Sequence, residues 1–376
     1  MISCGEASGD LYAGALAAEL RLRAPELELF GFGGPRLAAA GGDLVGTFAG
    51  LTVTGLTEAL RVVPRSYLMY RRLIAAARAR RPDVFVAIDF PDFNFRLMAA
   101  LHRLGIPIVY YVSPQLWAWR PRRIETMKRY VSKVLVIFPF ESALYREAGI
   151  DVEFVGHPLV DLTRPTQSRA AFLATHGLRT EAPTVALLPG SRPNEIARIA
   201  PGIAAALPLI RARVPSVQFV VARAPNLPDA LFAPFQSVVT AEGQTDDVLA
   251  ASQVVITASG TATVQATLYE RPMVVVYRVS PLTYRLGKPF LKVDTYAMPN
   301  LVAGRRIVPE LIQDGFTPVR VAEETVALLA DDTRYARVQG DLRSVHQRLG
   351  VAGASGRAAD AILAVAGTVS SGSHSA

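Results

Sequence analysis

Two carboxylates stand where a buried strand should end. In "VFVAIDFPDFNFR", residues 84 to 96, Asp89 directly follows five apolar residues and Asp92 comes three positions later, beyond Pro91. An uninterrupted apolar run of this length reads as a strand buried on both faces. Ligands of open parallel sheets bind at the carboxyl ends of such strands. Partial burial raises an aspartic acid from about 3.9 toward the working range of a general base, which makes Asp89 a catalytic candidate. Asp is also a common N-cap, and spacing alone leaves both roles open for Asp89. Asp92 fits the cap better.

Three small-residue turns suit anions. "GEASGD" presents Gly5, Ser8 and Gly9 ahead of a helix, and "PGSRPNE" presents Gly190, Ser191 and Arg192. "ASGTAT" presents Ser259, Gly260 and Thr261 after the apolar "VVIT". Backbone N–H groups at a helix N-terminus hold phosphate, and Arg192 adds a forked, charge-assisted contact. Gly and Ser also populate ordinary strand-to-helix turns, so each turn is weak alone.

Several chemistries are disfavoured. "GFGGPRL" has Arg36 where a dinucleotide fingerprint needs its third glycine, and no P-loop motif occurs. "GEASG" misses the nucleophile elbow by one position. Five scattered histidines and the lack of a D-x-D pair give no metal signature, so neither metal nor cofactor is expected. Cys4, the single cysteine, reads as a small buried residue at a strand end, and His157 as a backbone-bonded hinge residue.

Charge is concentrated. Residues 61 to 81 hold seven arginines and no acid, with Val63, Tyr67, Tyr70, Ile74 and Ala77 at helical spacing. Both tryptophans, Trp117 and Trp119, lie beside Arg120, Arg122 and Arg123. Aromatic and apolar surface rimmed by arginine fits an anionic membrane interface or a phosphorylated lipid. A core-facing stripe is the alternative for residues 61 to 81. No nucleic-acid motif is present, so nucleic acid is not an expected partner.

Positioning these groups requires strands ending at turns. Short apolar runs alternate with Ala- and Arg-rich helical stretches, at "LELFGFGG", "VFVAIDF", "IPIVYYVS", "KVLVIFPF" and "VEFVGHP", and again at "TVALLPGS", "VQFVVAR", "VVITASG" and "PMVVVYR". That pattern predicts α/β architecture with parallel sheets. The strand-turn start at residue 2 is echoed at residue 184. We therefore expect two Rossmann-like domains, 1–160 and 161–335, facing across a cleft. The polar, proline-bearing segment 157–183 reads as a linker, and 367–376 as a disordered tail. The chain has 376 residues, 51% hydrophobic and 19% charged, with a net charge of +8, enough for two cores and attractive to anionic partners. No 18-residue apolar segment would span a bilayer and no secretory leader is evident, and one cysteine suits a reducing compartment.

The motifs together resemble the lipid-A-disaccharide synthase family, inverting glycosyltransferases of the GT-B fold. The resemblance is carried by "GEASGD", "GFGGPRL", "IDFPDFN", "YYVSPQLWAWR", "FPFE", "FVGHPL", "LLPGSR", "SGTAT" and the stretch from "YRVSPLTYR" to "PNLVAGRRIVPELIQ", in family order from residue 5 to about 313. It implies transfer of a sugar from UDP-2,3-diacylglucosamine to 2,3-diacylglucosamine 1-phosphate, giving a β-1,6 disaccharide 1-phosphate and UDP. It implies Asp89 as the base for the acceptor 6-hydroxyl, and Arg192 with Ser259, Gly260 and Thr261 at the diphosphate. It implies Arg278 and Asn300 at the donor, and Glu6, Ser8 and Gly9 on the acceptor side. Gln265 stands where enzymes of this fold usually carry a ribose-binding glutamate. The resemblance further implies a cytoplasmic protein peripheral on the inner membrane, C-terminal helices that return to the first domain from about residue 335, and a possible homodimer. Rivals are a UDP-sugar 2-epimerase or lipid-linked N-acetylglucosaminyltransferase of the same fold, or a non-catalytic binding protein.

Overall fold

The computed structural model of the chain describes residues 1–48, 56–117, 121–280, 284–285 and 295–372. The chain divides into two compact units, one formed by Met1–Pro158 together with the segment from Leu349 onward, the other by Leu159–Arg348. Each is a parallel sheet layered with helices.

The first unit runs β1 (Ile2–Cys4), α1 (Ala7–Arg23), β2 (Phe30–Gly33), α2 (Pro35–Ala39), β3 (Asp43–Thr47), α3 (Leu56–Arg80), β4 (Phe85–Ile88), α4 (Pro91–His102), β5 (Ile108–Tyr111), α5 (Ile124–Tyr130), β6 (Lys133–Val136), α6 (Glu141–Glu147) and β7 (Val152–Phe154). The strands are ordered β3-β2-β1-β4-β5-β6-β7. Every residue of β4 and β5 is buried, as their unbroken apolar sequences require of strands covered on both faces. Strand order reverses between β1 and β4, where Cys4 lies opposite Ile88. The turns that follow these two strands therefore emerge side by side. Phe32, Phe85, Leu97, Met98 and Tyr110 are among the core residues beneath them.

The second unit runs α7 (Leu159–Leu162), α8 (Arg169–Thr175), β8 (Thr184–Leu188), α9 (Pro193–Arg213), β9 (Gln218–Arg223), β10 (Val239–Glu242), α10 (Thr245–Ala251), β11 (Val254–Ala258), α11 (Thr261–Leu268), β12 (Met273–Tyr277), α12 (Met298–Ala303), β13 (Glu310–Ile312), α13 (Pro318–Ala330) and α14 (Asp332–Arg348). Its order is β10-β9-β8-β11-β12-β13, with the reversal between β8 and β11. The chain then returns to the first unit as α15 (Ala354–Gly372), which packs along α1 and pairs Asp360 with Arg23 at 2.5 Å.

Four differences from the sequence expectation have physical causes. Strands β3, β10 and β13 lie at sheet edges, where half-solvated positions dilute the apolar run that marks a strand. The segment expected as a linker is folded into the second unit. The Asp247 carboxylate accepts the Thr166 and Gln167 N–H groups at 2.7 and 3.1 Å, and Phe172 and Leu173 are fully buried. The return to the first unit comes at Leu349 rather than near 335, because α14 stays with the second unit, burying Val338, Leu342 and Val345, with Arg343 on Glu270 at 2.7 Å at its surface. Helix α15 also continues to Gly372, into the segment expected as a tail, since adding a residue to an existing helix is far easier than starting one. Residues 373–376 lie outside the described residues.

Candidate active site

The turn after β4 is built on two consecutive left-handed residues. Asp89 has φ +45° and Phe90 φ +49°, conformations that cost a non-glycine residue on the order of 1 kcal/mol or more. Asp tolerates this region better than Phe does. Side chains from two strands and a helix hold the turn. The fully buried Asn94 amide donates to the Asp89 carbonyl at 2.8 Å and accepts the Ser3 hydroxyl at 2.7 Å. The Tyr110 hydroxyl donates to the same Asp89 carbonyl at 2.8 Å. The Phe90 ring packs on Phe93 at 5.4 Å and lies over Gly5, where a Cβ would fall 2.1 Å from it. Asp89 is thus half-buried on an over-determined turn at the sheet's switch point, the place where open parallel sheets bind ligands.

Asp92 does not cap α4. Phe90 occupies the N-cap position without a side-chain hydrogen bond, because Pro91 starts the helix two residues earlier than a cap at Asp92 would allow. Asp92 lies in the first turn, where its charge suits the helix dipole, and pairs with Arg123.

In the adjoining turn after β1, Glu6 and Ser8 are half-buried at the start of α1. Gly9, expected on the acceptor side, is instead a packing residue. It is buried, and a Cβ there would lie 3.3 Å from the Cys4 side chain, so its absence lets α1 approach the sheet. Cys4 is fully buried at the end of β1, and burial raises its thiol pKa well above the usual range. Asp10 was passed over in the sequence. Its buried carboxylate accepts the N–H groups of Gly34, Arg36 and Leu37 at 2.8, 2.9 and 3.1 Å, so it caps α2 and binds "GFGGPRL" to "GEASGD".

Beyond β5, Trp117 is turned inward rather than outward. Its indole N–H donates to Glu141 at 3.3 Å and its ring meets Phe140 edge-on at 5.2 Å. Arg123 is committed to Asp92 and to the Phe95 ring, 4.9 Å away, so neither residue presents a free membrane surface as expected. Arg122 is exposed. Trp119 and Arg120 lie outside the described residues. The side chains that do face solvent are on α3. Val63, Tyr67 and Leu68 are 58%, 61% and 52% exposed among exposed Arg65, Arg71 and Arg72. Farther along, Leu73 and Ala77 are buried, so the C-terminal half of this helix carries a core stripe.

In the second unit the two expected turns both lie at the switch point, Gly190–Arg192 after β8 and Ser259–Thr261 after β11. Gly190 (φ +126°) could not carry a Cβ, which would fall 2.3 Å from a Glu195 oxygen. Glu195 itself accepts the Ser191 N–H at 3.1 Å, so the chain's own carboxylate occupies part of this turn. Ser191 and Arg192 are exposed. Gly260 (φ +143°) is the N-cap of α11 and a Cβ there meets nothing, leaving open space beside Thr261. The Ser259 hydroxyl is used on the Tyr296 carbonyl at 3.0 Å. Gln265 donates to Asp246 at 3.2 Å, and burial raises the pKa of that carboxyl. A carboxylate therefore stands beside the amide that replaces the usual glutamate.

Two expected donor contacts serve the fold instead. Asn300 is 1% exposed; its amide donates to the Val308 carbonyl and Glu310, and its oxygen accepts the Ile307 and Val308 N–H groups, which saturates it. Arg278 donates to the Gln313 and Phe316 carbonyls and stacks on the Phe316 ring at 4.6 Å. Asn300 is a buried polar anchor and Arg278 a half-buried one, and their bonds to the fold could not be told from ligand contacts by motif position alone.

Helix termini, glycine turns, an exposed arginine and one half-buried aspartate are what a sugar transfer with an anionic leaving group needs. The comparisons with known proteins agree. The family model for lipid-A-disaccharide synthetase matches residues 1–365. The chain is 44% identical to the lipid-A-disaccharide synthase of Myxococcus xanthus (strain DK1622) over 96% of each chain. It is 43% identical to that of Koribacter versatilis (strain Ellin345), over 97% of this chain and 98% of the relative. Among solved structures, the calicheamicin glycosyltransferase CalG4 superposes with a TM-score of 0.59 at 18% identity, over 97% of this chain and 96% of that one, which shows a shared GT-B fold. The matches run the full length at high identity and favour neither an epimerase nor a bare binding protein: the chain belongs to the lipid-A-disaccharide synthase family, glycosyltransferases of lipid A biosynthesis.

Proposed function

We propose that the two units divide the labour of a single inverting displacement. Asp89 takes the proton of the 6-hydroxyl of 2,3-diacylglucosamine 1-phosphate. That oxygen bonds to the anomeric carbon of UDP-2,3-diacylglucosamine while the carbon–oxygen bond to the diphosphate breaks, and attack from the opposite face gives the β-1,6 linkage. UDP departs with the bonding electrons. In the second unit Arg192 and the N-terminus of α11 at Gly260 and Thr261 receive the growing negative charge. Gln265 with Asp246 lies one turn farther along, suited to hydroxyl groups. Glu6 and Ser8, beside the Asp89 turn, line the acceptor side. The observation that carries this reading is the half-buried Asp89 on a braced turn at the β1/β4 switch point.

A radiolabel assay with the two acylated glucosamines tests it, with and without EDTA. We expect disaccharide and UDP, undiminished by the chelator. Asp89→Asn keeps the shape and the left-handed tolerance but not the base, and should lower turnover by about a hundredfold or more. Near-normal turnover would remove Asp89 from the role.

For membrane contact, the reading is peripheral attachment to an anionic leaflet through α3, supported by the exposed Val63, Tyr67 and Leu68 among arginines. No helix among the described residues is long and apolar enough to cross a membrane. Cosedimentation with vesicles containing anionic phospholipid should fall on Tyr67→Ser with Leu68→Ser and in high salt. Equal binding by the double variant would place the contact elsewhere.

A further inference from the structure

Two side chains converge on the main-chain carbonyl of Asp89, one from β5 and one from α4. The Tyr110 hydroxyl and the Asn94 amide each donate to it at 2.8 Å. A carbonyl oxygen has two lone pairs, and both are taken. The peptide group that follows Asp89 therefore owes its orientation to side chains, not to the ladder of the sheet.

Both donors are themselves fixed. Tyr110 is fully buried, with its ring 6.1 Å from Phe95. Burial, helped by the nearby Asp89 charge, holds its phenol well above the ordinary pKa, so it keeps the proton that it donates. Asn94 is also fully buried, and the Ser3 hydroxyl donates to its oxygen at 2.7 Å, which keeps its nitrogen turned toward Asp89. That nitrogen reaches the Ser3 and Ile88 carbonyls only at 3.4 and 3.5 Å, so the bond to Asp89 is its main one. The strand register explains how the two supports come together. Ala87 on β4 lies opposite Ser3 on one side and opposite Tyr110 on the other. The three residues form one row across β1, β4 and β5, and their side chains stand on one face of the sheet. Ala87 and Tyr110 share a core cluster with Leu97 and Met98 of α4, so this is the face that α4 covers. A buried hydroxyl is costly unless bonded, and both hydroxyls of the row serve Asp89, directly or through Asn94.

We propose that Tyr110 and the Ser3–Asn94 pair are positioning residues of the transfer: acting through the Asp89 main chain, they aim its carboxylate at the acceptor hydroxyl. The inference rests on Asp89 being the base, as proposed above. Asp89 and Phe90 are both left-handed, and the two donors oppose relaxation of that strain. When one donor is lost the turn relaxes and carries the Asp89 side chain with it. A general base acts only within about 2.6–3.2 Å of the oxygen whose proton it takes, so a small displacement slows proton transfer and leaves substrate binding alone. Ser3, Asn94 and Tyr110 touch no substrate in this scheme.

The test is a double-mutant cycle with the two acylated glucosamines as substrates. Tyr110→Phe removes only the hydroxyl and should lower kcat about tenfold with both KM values unchanged. Ser3→Ala should lower kcat about threefold or more in the same way. In an Asp89→Asn background, where the base is gone, neither substitution should lower the residual turnover further. A role confined to the fold would persist in that background, so equal falls with and without the Asp89 carboxylate overturn the inference. Native kcat in both Tyr110→Phe and Ser3→Ala overturns it too, as does a rise in either KM with kcat unchanged. If Tyr110→Phe does not fold, Ser3→Ala reads the same cycle through Asn94. Near-native turnover of Asp89→Asn alone is a different failure: it removes the base assignment and leaves Tyr110 and Asn94 as braces of the fold.

Discussion

Asp89 carries its carboxylate on a backbone that most side chains avoid, and the residues around it make that conformation the stable one. The φ of +45° separates two substitutions that are chemically alike. Asparagine adopts left-handed φ readily, whereas alanine does not, so Asp89→Ala should lose about 1 kcal/mol of stability beyond Asp89→Asn while both lose turnover. Urea unfolding of the two variants checks this. Gly5 supports the same turn from the neighbouring strand end. A methyl group there would fall 2.1 Å from the Phe90 ring, so Gly5→Ala should cost about 1–3 kcal/mol and lower kcat as Phe90 shifts the turn. A Gly5→Ala variant with native melting temperature and native kcat would show that the ring moves without disturbing Asp89.

At the scale of elements, the second unit shows how polar residues inside a sequence motif can serve the fold. Helix α12 begins without a side-chain cap of its own, and Glu310 on β13 supplies the acceptor instead, taking the Tyr296 and Ala297 N–H groups at 2.9 and 3.0 Å. Asn300 completes the arrangement by donating to the same carboxylate at 2.6 Å. Asn300→Asp would set a buried carboxylate against the half-buried one of Glu310. We expect a loss of about 3 kcal/mol or more at neutral pH, relieved in part as the pH falls and one acid takes a proton. Calorimetry at pH 7.5 and 5.5 measures both. A wild-type melting temperature at pH 7.5 would mean that Asn300 is not bound as described.

On the scale of the whole molecule, the chain crosses between its two units twice, after Pro158 and before Leu349, and the two crossings are tied together within the first unit. The His157 N–H donates to the Leu349 carbonyl at 2.8 Å, and Arg357 donates to the Val155, Ala352 and Val351 carbonyls at 2.7 to 2.9 Å. The His157 ring is buried between Tyr12 and Phe138, and burial lowers its pKa from 6.5 to about 3. In the unfolded chain the ring binds a proton near pH 6.5, while in the folded chain it resists one down to about 3. Stability from this group is therefore complete above pH 6.5 and is lost as the pH falls toward 3, at up to about 1.4 kcal/mol per unit. Glu141 acts in the opposite sense. Its raised pKa makes the fold most stable below about 4.5, and that stability is lost as the pH rises through 7. A His157→Gln variant isolates the first effect. Its stability should fall less than that of the native chain between pH 6.5 and 4.5, as read by urea midpoints, and parallel curves would show that His157 is not held neutral.

Unbroken apolar runs such as Val84–Ile88 mark the strands of both sheets in the sequence itself, because a strand covered on two faces has no polar position to spare. The turns after β1, β4, β8 and β11 are legible for the same reason, since Gly, Ser and Asp appear abruptly where the apolar run stops. That punctuation marks Asp89 as a candidate while leaving its catalytic and capping roles both open. Which turns lie together depends on strand order, and only the tertiary structure sets β1 beside β4 and β8 beside β11. The same holds for each polar residue inside the motifs. Asn300, Arg278 and Trp117 have the residue types of ligand contacts, but a donor or acceptor engaged within the fold is not available to a ligand. Their partners, Glu310, the Phe316 carbonyl and Glu141, are brought to them by folding, not by adjacency in the chain.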